Sequence, residues 1–278
     1  MSTFAKIASR IRHSSLLESS EWLWNCLRKP YHSLLNIKGN GVTVRVNDHI
    51  SYKIPPLYYH VGLEEYEKCN IEQLADWIVA HPECLILDIG CSIGIMTTVS
   101  LFASPKAQVI SFDSDLSSLK STLNMANYAS GNRLQIVWGF INEQSDIKRS
   151  IDEVISYSFQ TLNASNVTGH PSTTRYINID HGVKNIPTYS LDDLFEGKPA
   201  SSPVLLKCDI EGAELLALKG SKNFIKAHRP VVLLSVHPEI LPVFNASVKS
   251  VYDFFRSVDY EVEVIGTDHE EHWWCYPR

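Results

Sequence analysis

Four things are missing from this 278-residue chain, and each narrows its function. It has no apolar run near the ~20 residues a membrane-spanning helix requires, so no transmembrane segment is expected. No Cys-x-x-Cys pair occurs. The six cysteines (Cys26, Cys69, Cys84, Cys91, Cys208, Cys275) are scattered, several in apolar strand runs, which reads as buried thiols rather than disulfides or zinc ligands. No basic stripe stands against the net charge of −6, which argues against a nucleic-acid partner. The start, Met1–Arg12, lacks the long apolar core of a secretion signal. A cytoplasmic chain is therefore expected, and the Asn-x-Ser/Thr triplets at Asn163, Asn166 and Asn245 read as chance.

A further absence says most. Residues 85–94 read Leu-Ile-Leu-Asp-Ile-Gly-Cys-Ser-Ile-Gly, an apolar strand running into Asp88 and a turn bracketed by Gly90 and Gly94, followed by a helical stretch. Strand, glycine turn and helix form the first nucleotide-binding turn of a doubly wound sheet. A dinucleotide fingerprint wants Gly-x-Gly-x-x-Gly, but the middle position here is Ser92, the third is Ile95, and Gly94 falls one residue early. Without the middle glycine a pyrophosphate approaches poorly. The turn suits a phosphate-free nucleoside such as S-adenosylmethionine. The next strand ends in Asp113, 19 residues past Gly94, where a ribose-binding carboxylate is expected about 20 residues on. The alternative is that Asp113 caps the following helix, a task Asp115 is equally placed to perform.

The rest of the chain alternates. Strands are expected near 84–88, 108–112, 134–138, 204–208 and 231–236, with helices near 71–80, 94–103, 116–129, 211–218 and 247–257, which predicts a parallel sheet with right-handed crossovers. Residues 41–54 suggest a small hairpin, and 261–265 with 272–276 an antiparallel terminal pair. Residues 143–186, poor in apolar periodicity beyond Ile147–Phe159, read as an insertion covering the substrate. Residues 1–40 read as an amphipathic helical arm packed on the domain or, in a homodimer, on a second subunit.

A second constellation sits at 206–214, Leu-Lys-Cys-Asp-Ile-Glu-Gly-Ala-Glu. Ligands of open α/β sheets bind beyond the carboxyl ends of strands, so Asp209 and Glu211 should share a crevice with Gly90 and Asp113. Lys207, in an apolar strand, needs a carboxylate partner, for which Asp88 or Glu211 would serve. Acids decorating a helix N-terminus account for Glu211 and Glu214 on dipole grounds, but not for Lys207 or Asp209. His237, at the end of the next strand in Ser-Val-His-Pro-Glu, points to the same crevice.

With Asp-Ile-Gly-Cys-Ser-Ile-Gly (88–94), Ser-Phe-Asp-Ser-Asp (111–115), Tyr-Ser-Leu-Asp-Asp-Leu (189–194), the 206–214 run and His-Pro (237–238), the chain resembles the FkbM-type S-adenosylmethionine-dependent methyltransferases over about residues 60–265. The resemblance implies a class I methyltransferase fold: a Rossmann-like α/β three-layer sandwich with a mostly parallel seven-stranded sheet and an antiparallel terminal hairpin. It implies an enzyme domain over 41–278, S-adenosylmethionine as cofactor, and O-methylation of a small-molecule, sugar or glycan-like hydroxyl. Carried over, Asp88, Gly90, Ser92 and Gly94 line the methionine portion and Asp113 holds the ribose. Asp209 and Glu211 face the methyl group. Trp138 is a candidate to pack near the adenine, with a core role the alternative. The chain departs from the family pattern at Ser92, where asparagine is usual, at Asp113-Ser114, which replaces Glu-Pro, and at Ser235, where an acid often precedes His-Pro.

Methyl transfer to oxygen needs an aligned acceptor relieved of its proton. Asp209 or His237 is expected as the base, with Glu211 orienting the acceptor. A variant in which Asp209, Glu211 and His237 gather a divalent cation ranks below it, so no metal is expected. The rival readings are a nicotinamide-dependent oxidoreductase, disfavoured by the missing glycine, and a non-catalytic interaction protein that keeps the cofactor fold.

Overall fold

Strands covered on both faces read as near-continuous apolar runs, and Leu85–Ile89, Val204–Cys208 and Val231–Val236 are of that kind. The computed structural model describes residues 41–59, 63, 65–167, 169, 186–199, 202–267 and 269–278. The expected arm over 1–40, with its dimer contact, lies outside them, as does most of 168–185.

The strands are β1 (Val42–Arg45), β2 (Ser51–Ile54), β3 (Leu85–Ile89), β4 (Gln108–Asp113), β5 (Leu134–Trp138), β6 (Phe140–Ile141), β7 (Thr188–Tyr189), β8 (Val204–Cys208), β9 (Val231–Val236), β10 (Tyr260–Thr267) and β11 (Glu271–Pro277). Seven of them form one sheet in the order β10-β11-β9-β8-β3-β4-β5. The pairs β5/β4, β4/β3, β3/β8 and β8/β9 are parallel, and β11 runs antiparallel to β9 and β10. The chain winds outward from β3 through β4 to β5, then returns to the other side of β3 at β8. The sheet therefore has its switch point between β3 and β8, where such folds bind ligands. This is the seven-stranded, mostly parallel α/β sandwich with an antiparallel terminal hairpin that the resemblance implied.

Helices Lys68–Ala80 and Ile95–Ala103 cover one face together with the β1–β2 hairpin. Ile71, Leu74, Ile78, Ile95, Val99 and Tyr52 share a single apolar cluster there. Helices Ile151–Ala164, Glu214–Lys219, Lys222–His228 and Val248–Ser257 cover the other face through Val154, Leu215, Phe224 and Phe255. The described helices include none long and apolar enough to cross a membrane.

Two local differences from the sequence expectation have plain causes. Part of the expected insertion is a packed helix, Ile151–Ala164, whose Ile151, Val154, Ile155 and Leu162 are buried at helical spacing. Glu153 accepts the Ser150 backbone N–H at 2.8 Å and closes its first turn. The helix after β8 begins at Glu214 rather than 211, because Glu211 (φ 53°) and Gly212 (φ 101°) adopt left-handed backbone. A non-glycine residue held there is strained, and such strain gathers at working sites.

Candidate active site

The glycine turn is built by backbone before any side chain matters. Gly90 and Cys91 N–H groups both donate to the Phe112 carbonyl, at 2.9 and 3.0 Å, and Gly94 N–H donates to Cys91 at 2.8 Å. Gly90 needs its missing side chain for a reason internal to the protein. At φ +75°, a Cβ would lie 1.8 Å from the Asp209 carbonyl oxygen, so the turn after β3 and the loop after β8 touch backbone to backbone. Gly94 (φ +87°) is pressed in the same way against Thr122. Sequence reasoning assigned both glycines to close approach of a ligand; their immediate demand is close approach of neighbouring protein.

Asp113 stands beside this turn because β3 and β4 pair in register, Ile89 opposite Phe112. Its Oδ2 accepts the Ser92 N–H at 2.9 Å and its Oδ1 accepts the Asp115 N–H at 2.9 Å. Asp115, not Asp113, caps the next helix, accepting from Ser117 and Ser118 N–H. Each Asp113 oxygen therefore keeps lone-pair capacity for ribose hydroxyls. Burial raises its pKa to about 7, against the pull of the two backbone donors. A half-buried carboxylate with spare lone pairs, beside a strained turn (Ser92 φ 50°), suits a nucleoside with a free ribose diol. Asp88 and Trp138 sit deeper. Asp88 is fully buried, accepts the Thr97 hydroxyl at 2.6 Å and lies 3.3 Å from Lys207 Nζ. The Trp138 indole donates to the Ser114 carbonyl at 2.9 Å in a cluster with Cys91, Leu116 and Leu119. Both brace the turn from behind.

Lys207 joins this half of the site to the other. Buried in β8, it donates to the Gly90 carbonyl at 2.7 Å and lies 3.7 Å from Asp209 Oδ2. Burial opposes its charge, but the Asp88 and Asp209 carboxylates outweigh that and hold its pKa above the ordinary lysine value. Asp209 N–H donates to the Ile89 carbonyl at 3.0 Å. Asp113 and Asp209 thus flank the same glycine turn, at the carboxyl ends of three neighbouring parallel strands.

On the far side, His237 is 4% exposed. Its Nδ1 meets Glu214 Oε1 at 2.7 Å, and its Nε2 lies 2.5 Å from Glu270 Oε2. Asp209 Oδ1 and Glu211 Oε2 are 3.8 and 3.7 Å from Nε2. Burial disfavours the charged ring, but the bonds to Glu214 and Glu270 prevail and raise its pKa to about 10. Asp209 is raised to about 6 by burial, with Lys207 pulling the other way. Asp209, His237 and Glu270 offer ligand atoms within 4.8 Å of one another, as a divalent ion would require. The 2.5 Å between Nε2 and Oε2 is a short, direct contact between imidazole and carboxylate.

Glu270 was missed in the sequence. It is 3% exposed and comes from the turn before β11, whose register sets Glu271 opposite Val236 and hence Glu270 beside His237. Ser235 precedes the Val236-His237-Pro238 run, and the carboxylate beside His237 arrives from the turn before the adjacent strand.

Residues 88–262 match the family profile described as the methyltransferase FkbM domain. The hexuronic acid methyltransferase AglP of Haloferax volcanii is 26% identical over 163 residues, covering 59% of this chain and 60% of that protein. The crystal structure of methyltransferase FkbM from Methylobacillus flagellatus KT superposes with a TM-score of 0.43 at 19% identity, over 69% of this chain and 43% of that one. Magnesium protoporphyrin IX methyltransferase (ChlM) from Synechocystis PCC 6803, solved with bound SAH, gives 0.43 at 12% identity, over 80% of this chain and 91% of that one. The chain thus spans less than two thirds of the first two relatives.

Proposed function

The chain belongs to the FkbM methyltransferase family, and from that premise we propose that it methylates a hydroxyl oxygen of a small or carbohydrate acceptor. S-adenosylmethionine is the cofactor, and when bound it supplies an electrophilic methyl group on a sulfonium. The carbohydrate preference draws on the relative whose name specifies a hexuronic acid. The observation that carries the reading is the flanking of one glycine turn by two different carboxylates, Asp113 on β4 and Asp209 after β8.

Their tasks differ because their surroundings differ. Asp113, anchored by two backbone N–H groups, is suited to accept the ribose hydroxyls. Asp209 is suited to take the acceptor's proton. At a pKa of about 6 it is ionised at neutral pH yet more basic than an ordinary carboxylate, as a general base should be. Of the two bases that the sequence left open, His237 is the poorer: with a pKa of about 10 its ring carries a proton at neutral pH. Glu211, 62% exposed at the rim, has lone pairs to orient acceptor hydroxyls. The acceptor's proton would pass to the Asp209 carboxylate as the acceptor oxygen takes the methyl group, the methyl–sulfur bond breaking to leave the neutral thioether.

Isothermal titration with S-adenosylmethionine, followed by metabolite profiling with the methyl-labelled donor, tests this. Binding in the micromolar range and label on an oxygen of a hydroxylated acceptor are expected. Failure to bind the donor, or label appearing on nitrogen or carbon alone, would refute it.

A further inference from the structure

Methyl transfer as proposed uses Asp209 and Glu211 and leaves two buried acids, Glu214 and Glu270, without a task. Burying a carboxylate is costly unless it is paired and hydrogen-bonded, so their arrangement calls for an explanation. They occupy opposite nitrogens of one imidazole: Glu214 Oε1 meets Nδ1 at 2.7 Å, and Glu270 Oε2 meets Nε2 at 2.5 Å. A neutral imidazole donates through only one nitrogen. With an ionised carboxylate on each, the ring carries both protons. Glu214 is itself fixed, since its Oε1 also accepts the Gly212 N–H at 2.8 Å. That bond ties the clamp to the strained turn carrying Glu211.

We propose that Glu270 is a positioning residue of the active site: with Glu214 it clamps His237 as an imidazolium, whose charge faces Asp209 and Glu211 and holds that loop in place. The inference rests on the methyltransferase reading. It reaches beyond the family match, which ends at residue 262, and makes the turn between β10 and β11 part of the site.

Among the described residues, the charged groups nearest the ring come from three segments. Asp209 Oδ1 (3.8 Å) and Glu211 Oε2 (3.7 Å) approach from the loop after β8, Glu214 from the following helix, and Glu270 from the β10–β11 turn. Behind them Lys207 lies 3.7 Å from Asp209 Oδ2, and His272 Nδ1 lies 3.7 Å from Glu270 Oε1. Asp209 thus has a cation on each oxygen, Lys207 on one and the His237 ring on the other. Glu67 adds a further acid within 4.8 Å of Glu270 and His272, and His269 lies 3.9 Å from Glu270 Oε1, so that among the described residues acids outnumber bases around the ring.

The test is a nuclear magnetic resonance titration of the full chain carrying 13C-labelled histidine, with His237 assigned by the loss of its signal in His237→Gln. The unsubstituted protein should show the imidazolium shift from pH 6 to pH 8.5. Glu270→Gln should lower the midpoint by at least one pH unit, a tenfold rise in the proton concentration needed, and Glu270→Asp should restore much of it. A structural role alone would give neither the shift nor the rescue. If Glu270→Gln does not fold, the wild-type and Glu270→Asp titrations still decide the matter. A neutral His237 at pH 7.5 in the wild-type protein overturns the proposal, as does an unchanged midpoint in Glu270→Gln. Displacement of the ring proton by added manganese chloride overturns it too, in favour of a metal centre. S-adenosylmethionine binding, measured separately, reports on the methyltransferase reading and leaves the titration interpretable either way.

Discussion

The two halves of this site are built by different means. The cofactor side, from β3 to Asp115, is continuous in the chain and is shaped by backbone: two N–H groups on the Phe112 carbonyl, two on the Asp113 carboxylate, and a helix capped by Asp115. The acceptor side collects Lys207, Asp209, Glu214, His237 and Glu270 from four separate elements and is held by charge. Backbone geometry withstands a change of protonation. A cluster of buried charges does not, because each member's ionisation depends on the others. The first half is therefore a preformed cradle, and the second is set by its proton inventory.

The contrast can be broken most severely where the halves touch. Gly90→Ala places a Cβ within 1.8 Å of the Asp209 carbonyl, and neither backbone can yield alone. A loss of stability above about 4 kcal/mol is expected, the range of diagnostic core lesions, read by urea denaturation. A protein of unchanged stability would show the two loops to be loosely coupled. Asp209→Asn should separate the halves cleanly, lowering methyl transfer by about 100-fold or more with donor affinity unchanged. Single-turnover kinetics with the labelled donor measures the first and calorimetry the second. Asp113→Ala should do the reverse at smaller cost, weakening donor binding by roughly 1.5–3 kcal/mol through lost charge-assisted hydrogen bonds.

The mildest probe is pH, and it should move the halves in opposite directions. Donor affinity should weaken as pH falls through about 7, where Asp113 takes up a proton and loses acceptor capacity. Stability should behave otherwise. The His237 pKa is raised from 6.5 to about 10, so its contribution is complete below about 6.5 and drains away as pH climbs through about 10. Thermal unfolding between pH 7 and 10 reads this, and a midpoint that rises over that range would contradict the clamp.

What could be read beforehand follows the same division. The strand–turn–helix at 85–103, the acid at 113 and the terminal hairpin were legible because apolar period, glycine placement and capping are local signals. Lys207 announced its need for a carboxylate, and Asp88 meets it at 3.3 Å. Glu270 gave no such sign, since the stretch between the last two strands has neither period nor motif in sequence, and only strand register carries it to His237. Trp138 was open between an adenine contact and a core role, and its burial beside Leu116 and Leu119 could be seen only in the assembled sheet. The Ile151–Ala164 helix was half visible, its apolar spacing diluted by the polar stretch that follows.

The amino-acid order alone pointed to a doubly wound sheet with a phosphate-free nucleoside turn, because apolar runs, glycine spacing and the acid at 113 are signals carried within short stretches of chain. Tertiary structure decided which carboxylate works as a base and which imidazole stays charged. Those properties are differences in solvation and in mutual distance among side chains that meet only when the sheet is assembled.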